Sequence, residues 1–268
     1  MSTPTLLLDC DGVLADTERD GHLVAFNAMF TELGVPIQWD DATYADLLRV
    51  GGGKERLMSF LTPERAAALG MPTDEDSRRD VVGEWHVAKS RLFRHLVSEG
   101  ALAPRPGVAR LIHDALDAGW CVAVASTSAV ASVESVLASV VGAEVARSVR
   151  VFAGDVVERK KPAPDIYLHA VEGLGSDPAN TVVIEDSGVG CRSAVSAGLP
   201  VVVTLSGYTA GEDFTGAALV LTDLGEPSVP ARVVDDPAGL AAGDGAVVDL
   251  AFLRRVIDTH GAAAHGQS

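Results

Sequence analysis

Carboxylates recur in this sequence at the ends of short apolar runs. Leu6-Leu7-Leu8 gives way to Asp9 and Asp11, one residue apart, followed by Gly12 and a polar exit through Asp16, Thr17 and Glu18. Thr181-Val-Val-Ile184 ends in Glu185-Asp186-Ser187-Gly188, and the run from Trp120 ends in Ser126-Thr127-Ser128. Carboxylates this close repel one another unless a cation or a shared proton relieves them. Gathered at one place, Asp9, Asp11, Glu185 and Asp186 form a set of hard oxygen ligands that suits Mg²⁺, an ion that keeps waters and pairs with phosphate oxygens. The segment Lys160-Lys161-Pro162-Ala163-Pro164-Asp165 offers the positive charge the carboxylates lack. Its prolines set an extended approach to a helix, which would hold Lys161 facing inward. The blander account, a helix N-cap after each strand, explains one polar cluster easily and three poorly.

Only certain elements bring these clusters together. Each apolar run has the length and flanks of a fully buried strand. In a parallel sheet the C-terminal ends of the strands share one edge, so topology alone unites the three clusters. Further apolar runs at residues 149–153, 199–205 and 217–221 alternate with helical patterns at 108–118, 129–141 and 189–197, and another helix begins near Pro164. The alternation predicts an α/β fold, with a Rossmann-like parallel sheet and right-handed crossovers. It is interrupted straight after the first strand. Residues 19–34, 41–50 and 74–98 carry apolar side chains at three- and four-residue spacings, and Thr62-Pro63 starts a further helix. The expected organisation is an α/β catalytic core of residues 1–17 and 103–268, with an all-helical cap of residues 18–102 inserted in it. Past Gly207 the pattern weakens: residues 229–245 read as loop-rich with no strand marked in them, 250–260 as a closing helix, and 261–268 as disordered.

Composition narrows the function. The chain of 268 residues has 21 basic against 37 acidic side chains, a net charge of −16. Nucleic acid and anionic membrane both require basic surface, so neither is expected as a partner. An anionic substrate then needs its cations concentrated locally, or a metal. Cys10, Cys121 and Cys191 lie far apart with no C-x-x-C spacing and read as buried free thiols. With no apolar run of membrane-spanning length and no secretory signal ahead of Leu6, a cytoplasmic monomer acting on a small molecule is expected.

Asp9-Cys-Asp11-Gly-Val-Leu-Ala-Asp-Thr-Glu18, Ser126, Lys161-Pro162 and Glu185-Asp186 stand in the order and approximate spacing of the four motifs of the haloacid dehalogenase superfamily. The chain resembles in particular its CbbY-like sugar-phosphate phosphatases, which carry a helical cap after the first motif. Glu18, His22, Tyr44 and the segment Gly51-Gly52-Gly53-Lys54-Glu55-Arg56 are similar to that subfamily's substrate-side pattern. The resemblance implies that Asp9 attacks phosphorus and forms an aspartyl phosphate, while Asp11 protonates the leaving oxygen and later activates water. It implies Mg²⁺ held by Asp9, the Asp11 main-chain carbonyl, Asp186 and Glu185. Ser126 and Thr127 would bind the transferring phosphate, and Lys161 would stabilise its charge.

In the cap, the amides of Gly51, Gly52 and Gly53 with the charges of Lys54 and Arg56 form a candidate second phosphate site. His22, Tyr44, His86 and Lys89 are candidate substrate contacts. His86 and Lys89, three residues apart, share one helix face. Ala129 departs from the pattern, since relatives often carry a polar residue there. The leading expectation is a Mg²⁺-dependent phosphatase for a ketopentose bisphosphate such as xylulose 1,5-bisphosphate. A sugar phosphomutase of the same fold, resembling β-phosphoglucomutase, would use the same nucleophile. A non-catalytic, phosphate-binding regulatory protein is the alternative of another class, and the intact Asp9, Asp11, Lys161 and Asp186 speak against it.

Overall fold

In the computed structural model, which describes residues 2–265, strand β1 (Thr5–Leu8) is buried on both faces. Leu6 and Leu8 join one apolar cluster, with Leu111, Ile112 and Phe252, whereas Leu7 joins another, with Tyr167 and Cys191. Burial from two sides explains why the run is apolar without alternation.

The chain then leaves the sheet. A π-helical turn (Glu18–Leu23) leads into α1 (Val24–Glu32), α2 (Asp41–Leu47), α3 (Gly53–Phe60), α4 (Pro63–Ala68) and the long α5 (Glu75–Ser98). Asp40, Thr62 and Asp74 cap α2, α4 and α5 by accepting hydrogen bonds from backbone N–H groups three residues on. These helices share an apolar core of their own, built on Phe26, Phe30, Trp39, Tyr44, Phe60 and Trp85. The far end of α5 differs: its Phe93 and Val97 pack into the larger cluster against the sheet.

After this helical insertion come α6 (Val108–Asp117), β2 (Cys121–Ala125), α7 (Val130–Val141), the short α8 (Ala143–Ala146) and β3 (Arg150–Phe152). Next follow α9 (Asp165–Leu174), β4 (Thr181–Glu185), α10 (Gly188–Ser196), β5 (Val201–Thr204) and β6 (Leu219–Leu221). Strands β7 (Ala231–Asp235) and β8 (Gly245–Ala246) precede the closing α11 (Leu250–His265). The sheet order is β3-β2-β1-β4-β5-β6-β7-β8, parallel from β3 through β6 and antiparallel beyond. Leu8 lies beside Val124 on one flank and Ile184 on the other, so the polar segments that follow emerge side by side.

Three expectations are corrected. Residues 19–34 are not one regular helix, because the first turn is π-helical and includes Gly21, packed against Phe93 where a Cβ would lie 2.8 Å from the ring. Residues 229–245 are not all loop. Strand β7 sits at the sheet margin with mostly exposed side chains, so it lacks the apolar run that marks a buried parallel strand. Finally, α11 continues to His265 instead of ending near 260, and the remainder of the segment expected to be disordered, 266–268, lies outside the described residues. The three cysteines are free, and among the described residues no helix is long and apolar enough to cross a membrane.

Candidate active site

The edge where β1, β2 and β4 end carries the expected carboxylates. The Asp9 N–H continues the ladder by donating to the Ile184 carbonyl at 2.9 Å, and a tight turn follows, closed by Gly12 N–H to Ala15 O at 2.9 Å. Gly12 has φ of 82°, and a Cβ there would fall 2.0 Å from Asp186 Oδ2, so only glycine fits. Lys161, just before α9, places Nζ 2.6 Å from Asp9 Oδ1, 2.6 Å from Glu185 Oε1 and 3.2 Å from the Ala125 carbonyl. These three acceptors match its three hydrogens. The same Glu185 oxygen also accepts from the Tyr167 hydroxyl at 2.6 Å, while Oε2 accepts from Asp186 N–H at 3.0 Å.

One cation does not balance this cluster. Burial, then repulsion by Glu185 and Asp9, pushes the Asp186 carboxyl well above its ordinary pKa. Asp9 is raised too: burial, helped by Glu185 and Asp11, outweighs the attraction of Lys161. For Lys161, burial alone would favour the neutral amine, but Asp9 and Glu185 prevail and hold its pKa well above the usual value. Carboxylate oxygens of Asp9, Glu185 and Asp186 lie within 4.8 Å of one another, a hard, anionic donor set that fits a divalent cation such as Mg²⁺.

Asp11 lives in different surroundings. Its Oδ1 accepts from Thr17 Oγ1 at 2.6 Å and His22 Nε2 at 2.7 Å, and its Oδ2 accepts from the Ser128 hydroxyl. Burial would raise its pKa, yet the hydrogen bonds from His22, Ser128 and Thr17 hold it well below the carboxylate range. On the far side of the ring, Lys89 Nζ lies 2.8 Å from His22 Nδ1. An ammonium only donates, so Nδ1 accepts and the hydrogen facing Asp11 sits on Nε2. Lys89 is buried over the rings of Phe26 and Phe93, and burial lowers its pKa to about 8 against the pull of Asp11 and Glu18.

Higher in the helical insertion, Arg56 Nη1 donates to the Tyr44 hydroxyl at 2.9 Å, and that hydroxyl donates to Glu18 Oε2. Arg56 is buried, and its Nε has no hydrogen-bond partner among the described residues. Between this group and the sheet edge lies a cleft of about 100 Å³ lined by Asp9, Asp11, Lys161 and Asp186 below and Glu18, His22, Gly52, Gly53, Arg56, His86 and Lys89 above, with Ser126 and Thr127 at the side. His86 is held neutral near pH 7, its pKa lowered to about 4 by burial and then by Lys89 and Lys54.

Three residues named from sequence do not line that cleft: Tyr44 stands behind Arg56, Glu185 behind Lys161, and Lys54 turns away. Lys54 Nζ instead lies 2.6 Å from Asp155 Oδ2, so its charge is neutralised outside the cleft. Conversely, sequence reasoning missed Thr17, Ser128 and Tyr167. Ser128 sat in the recognised polar run after β2, but nothing in the sequence told it apart from Ser126. Tyr167 falls on the buried face of α9 and reads as core.

Comparison with known proteins agrees with this geometry. The sequence model of a family described as haloacid dehalogenase-like hydrolase matches residues 3–198. A CBBY-like protein of Arabidopsis thaliana is 45% identical over 226 residues, covering 83% of this chain and 69% of that protein. The crystal structure of CbbY from Rhodobacter sphaeroides in complex with phosphate superposes with a TM-score of 0.73 at 38% identity, over 82% of this chain and 94% of that one. A mutant of the same protein in complex with xylulose-(1,5)bisphosphate gives the same TM-score and identity, covering 84% of this chain and 98% of that one.

Proposed function

The chain belongs to the haloacid dehalogenase-like hydrolase family and is a CbbY-like phosphatase, and from that premise we propose that it hydrolyses a small sugar bisphosphate through a phosphorylated Asp9, with Mg²⁺ as cofactor. The observation that carries this reading is the contrast between two carboxylates facing one cleft. Asp9 is held by a single cation, Lys161, at one oxygen, and its other oxygen, Oδ2, accepts no hydrogen bond among the described residues. Asp11 is held at both oxygens by hydroxyl and imidazole donors. The first arrangement suits a nucleophile, the second a group that exchanges protons.

Asp9 attacks phosphorus through its free oxygen, opposite the leaving sugar oxygen. Asp11 donates a proton to that oxygen and then removes one from the water that attacks the aspartyl phosphate. A substrate oxygen that takes the place of the Ser128 hydroxyl removes one donor from Asp11 and moves the carboxyl toward the acid role. Ser126 and Thr127 hydrogen-bond the phosphate oxygens, and Lys161 bears on the charge that builds there. Asp9, Asp186 and the main-chain carbonyl of Asp11 would hold Mg²⁺, with Glu185 at its margin, and the bound ion would offset the repulsion between phosphate and carboxylates.

The helical insertion, residues 18–102, acts as the cap that selects substrate. Arg56 is its anion anchor, buried with a free N–H, and Lys89 stands beside it. Two separated cationic anchors suit a bisphosphate, and the xylulose-(1,5)bisphosphate bound by the R. sphaeroides relative supports a ketopentose bisphosphate as substrate, giving the 5-phosphate. The test is phosphate release from a panel of sugar mono- and bisphosphates with and without Mg²⁺, on wild type and Arg56→Ala. The variant should raise KM for the bisphosphate at least tenfold more than for p-nitrophenyl phosphate, the scale of a lost charged hydrogen bond. Equal losses on both substrates would remove Arg56 as anchor, and isomer formation without phosphate release would replace hydrolysis by a mutase reaction.

A further inference from the structure

Tyr167 is fully buried on the first turn of α9, six positions after Lys161. A phenylalanine would fill the same space, so the hydroxyl needs its own explanation. It donates to Glu185 Oε1 at 2.6 Å, the oxygen that also receives Lys161 Nζ at 2.6 Å, and the ring centroid lies 4.8 Å from that Nζ. Phenol and ammonium thus converge on one carboxylate oxygen, while the same ammonium reaches Asp9 Oδ1 at 2.6 Å.

We propose that Tyr167 is a positioning residue for phosphoryl transfer: its hydroxyl satisfies Glu185 Oε1, so that Lys161 is shared with Asp9 and the phosphate instead of being drawn onto Glu185. The inference rests on the roles given above to Asp9 and Lys161. An oxygen with a second donor competes less strongly for a given ammonium, because each hydrogen bond disperses part of its charge. Remove the hydroxyl and Glu185 Oε1 has Lys161 as its sole partner, with the balance of the shared contact moved away from Asp9. The segment Lys161-Pro162-Ala163-Pro164-Asp165-Ile166-Tyr167 builds this into the chain: a turn, closed by Ala163 N–H to the Lys160 carbonyl at 3.0 Å, delivers the ammonium, and the helix that follows returns the hydroxyl to the same acceptor.

The test uses Tyr167→Phe with p-nitrophenyl phosphate, so that it does not depend on which sugar is the substrate. Because the hydroxyl acts through Lys161, its loss should lower kcat about tenfold, less than removal of a direct transition-state donor, with KM changed less than twofold. Inhibition by orthovanadate, which resembles the five-coordinate transition state, should weaken by about the same tenfold factor, whereas inhibition by inorganic phosphate should stay within twofold. In a Glu185→Gln background the Tyr167→Phe change should shrink below twofold, since the oxygen it serves is no longer anionic. An unchanged kcat would overturn the proposal, and so would equal losses in vanadate and phosphate inhibition, which mark general loosening of the site. If Glu185→Gln does not fold, the vanadate-to-phosphate comparison decides alone. Failure of the underlying catalytic assignment would appear separately, as turnover that survives Asp9→Asn.

Discussion

Lys54 at the start of α3 and Asp155 just beyond β3 meet at 2.6 Å, joining the helical insertion to the sheet domain beside the cleft. Lys160 reaches the other Asp155 oxygen at 3.0 Å, so one carboxylate serves a lysine from each side of the seam. A second tie, Tyr208 Oη to Asp41 Oδ1 at 2.7 Å, closes the opposite rim.

Lys54→Met or Asp155→Asn should therefore act on closure and leave the chemistry intact. Both side chains are about half exposed or more, so the pair adds little to stability. We expect KM to rise about two- to fivefold at low salt, kcat to hold within twofold, and the difference from wild type to fade above roughly 0.5 M salt as the pair is screened. Hydrogen bonds from Lys54 and Lys160 lower the Asp155 pKa to about 2. A depressed acid keeps its contribution above its ordinary pKa and loses it only as pH falls through the folded value. The KM difference should accordingly be flat between pH 5 and 8, and a steep pH dependence there would count against the seam.

Mg²⁺ binding should be visible in stability without any turnover. The repulsion among Asp9, Glu185 and Asp186 is what the ion relieves. At a hundredfold excess over its dissociation constant, Mg²⁺ should raise the Tm of metal-free protein by about 5–10 °C. Asp186→Asn removes one of the repelling charges, so the metal-free variant should melt above metal-free wild type, gain less than about 2 °C from Mg²⁺, and lose roughly a hundredfold or more in kcat. Scanning calorimetry with and without chelator measures the first two. A metal-free variant that melts below wild type would contradict the electrostatic account of this cluster.

The candidate site was more legible in the sequence than the parts around it. Asp9, Ser126 and Glu185 each end or follow an apolar run, and a parallel sheet leaves such ends only one edge to occupy. Lys161 could be placed because the prolines around it restrict the approach to α9. Ser128 and Tyr167 were not distinguishable, because what marks them is a partner more than a hundred residues away, in the one case Asp11, or an acceptor behind a lysine, in the other Glu185. Lys54 was misjudged for a related reason: charge beside glycines suggests an anion site, but which way a long side chain turns depends on Asp155, on an element far along the chain. Strand β7 escaped because solvent covers most of its side chains, which therefore carry no burial pattern to read.

Lys89 makes the cost of this site measurable. The residue is 6% exposed, and its ammonium faces His22 and Glu18 from the segment entering α1, Arg56 from α3, His86 on its own helix, and Asp11 below. Burial moves its pKa from the ordinary 10.5 to about 8, a displacement of roughly 3 kcal/mol against the charged form. For a base, a folded-state pKa below the unfolded one means that folding disfavours the proton. The penalty is full below pH 8, shrinks as pH rises from about 8 to 10.5, and is gone above that. Lys89→Met removes the charge and keeps most of the stem, at the loss of about 1 kcal/mol for the hydrogen bond to His22 Nδ1. The variant should melt about 2–5 °C above wild type at pH 7, and that margin should narrow steadily toward pH 10. Its kcat should fall about tenfold or more, because His22 no longer has the partner that fixes its Nε2–H on Asp11. Thermal unfolding across the pH series and steady-state kinetics at pH 7 test both halves. A variant that is less stable and equally active would show that Lys89 supports the fold, and not the orientation of His22.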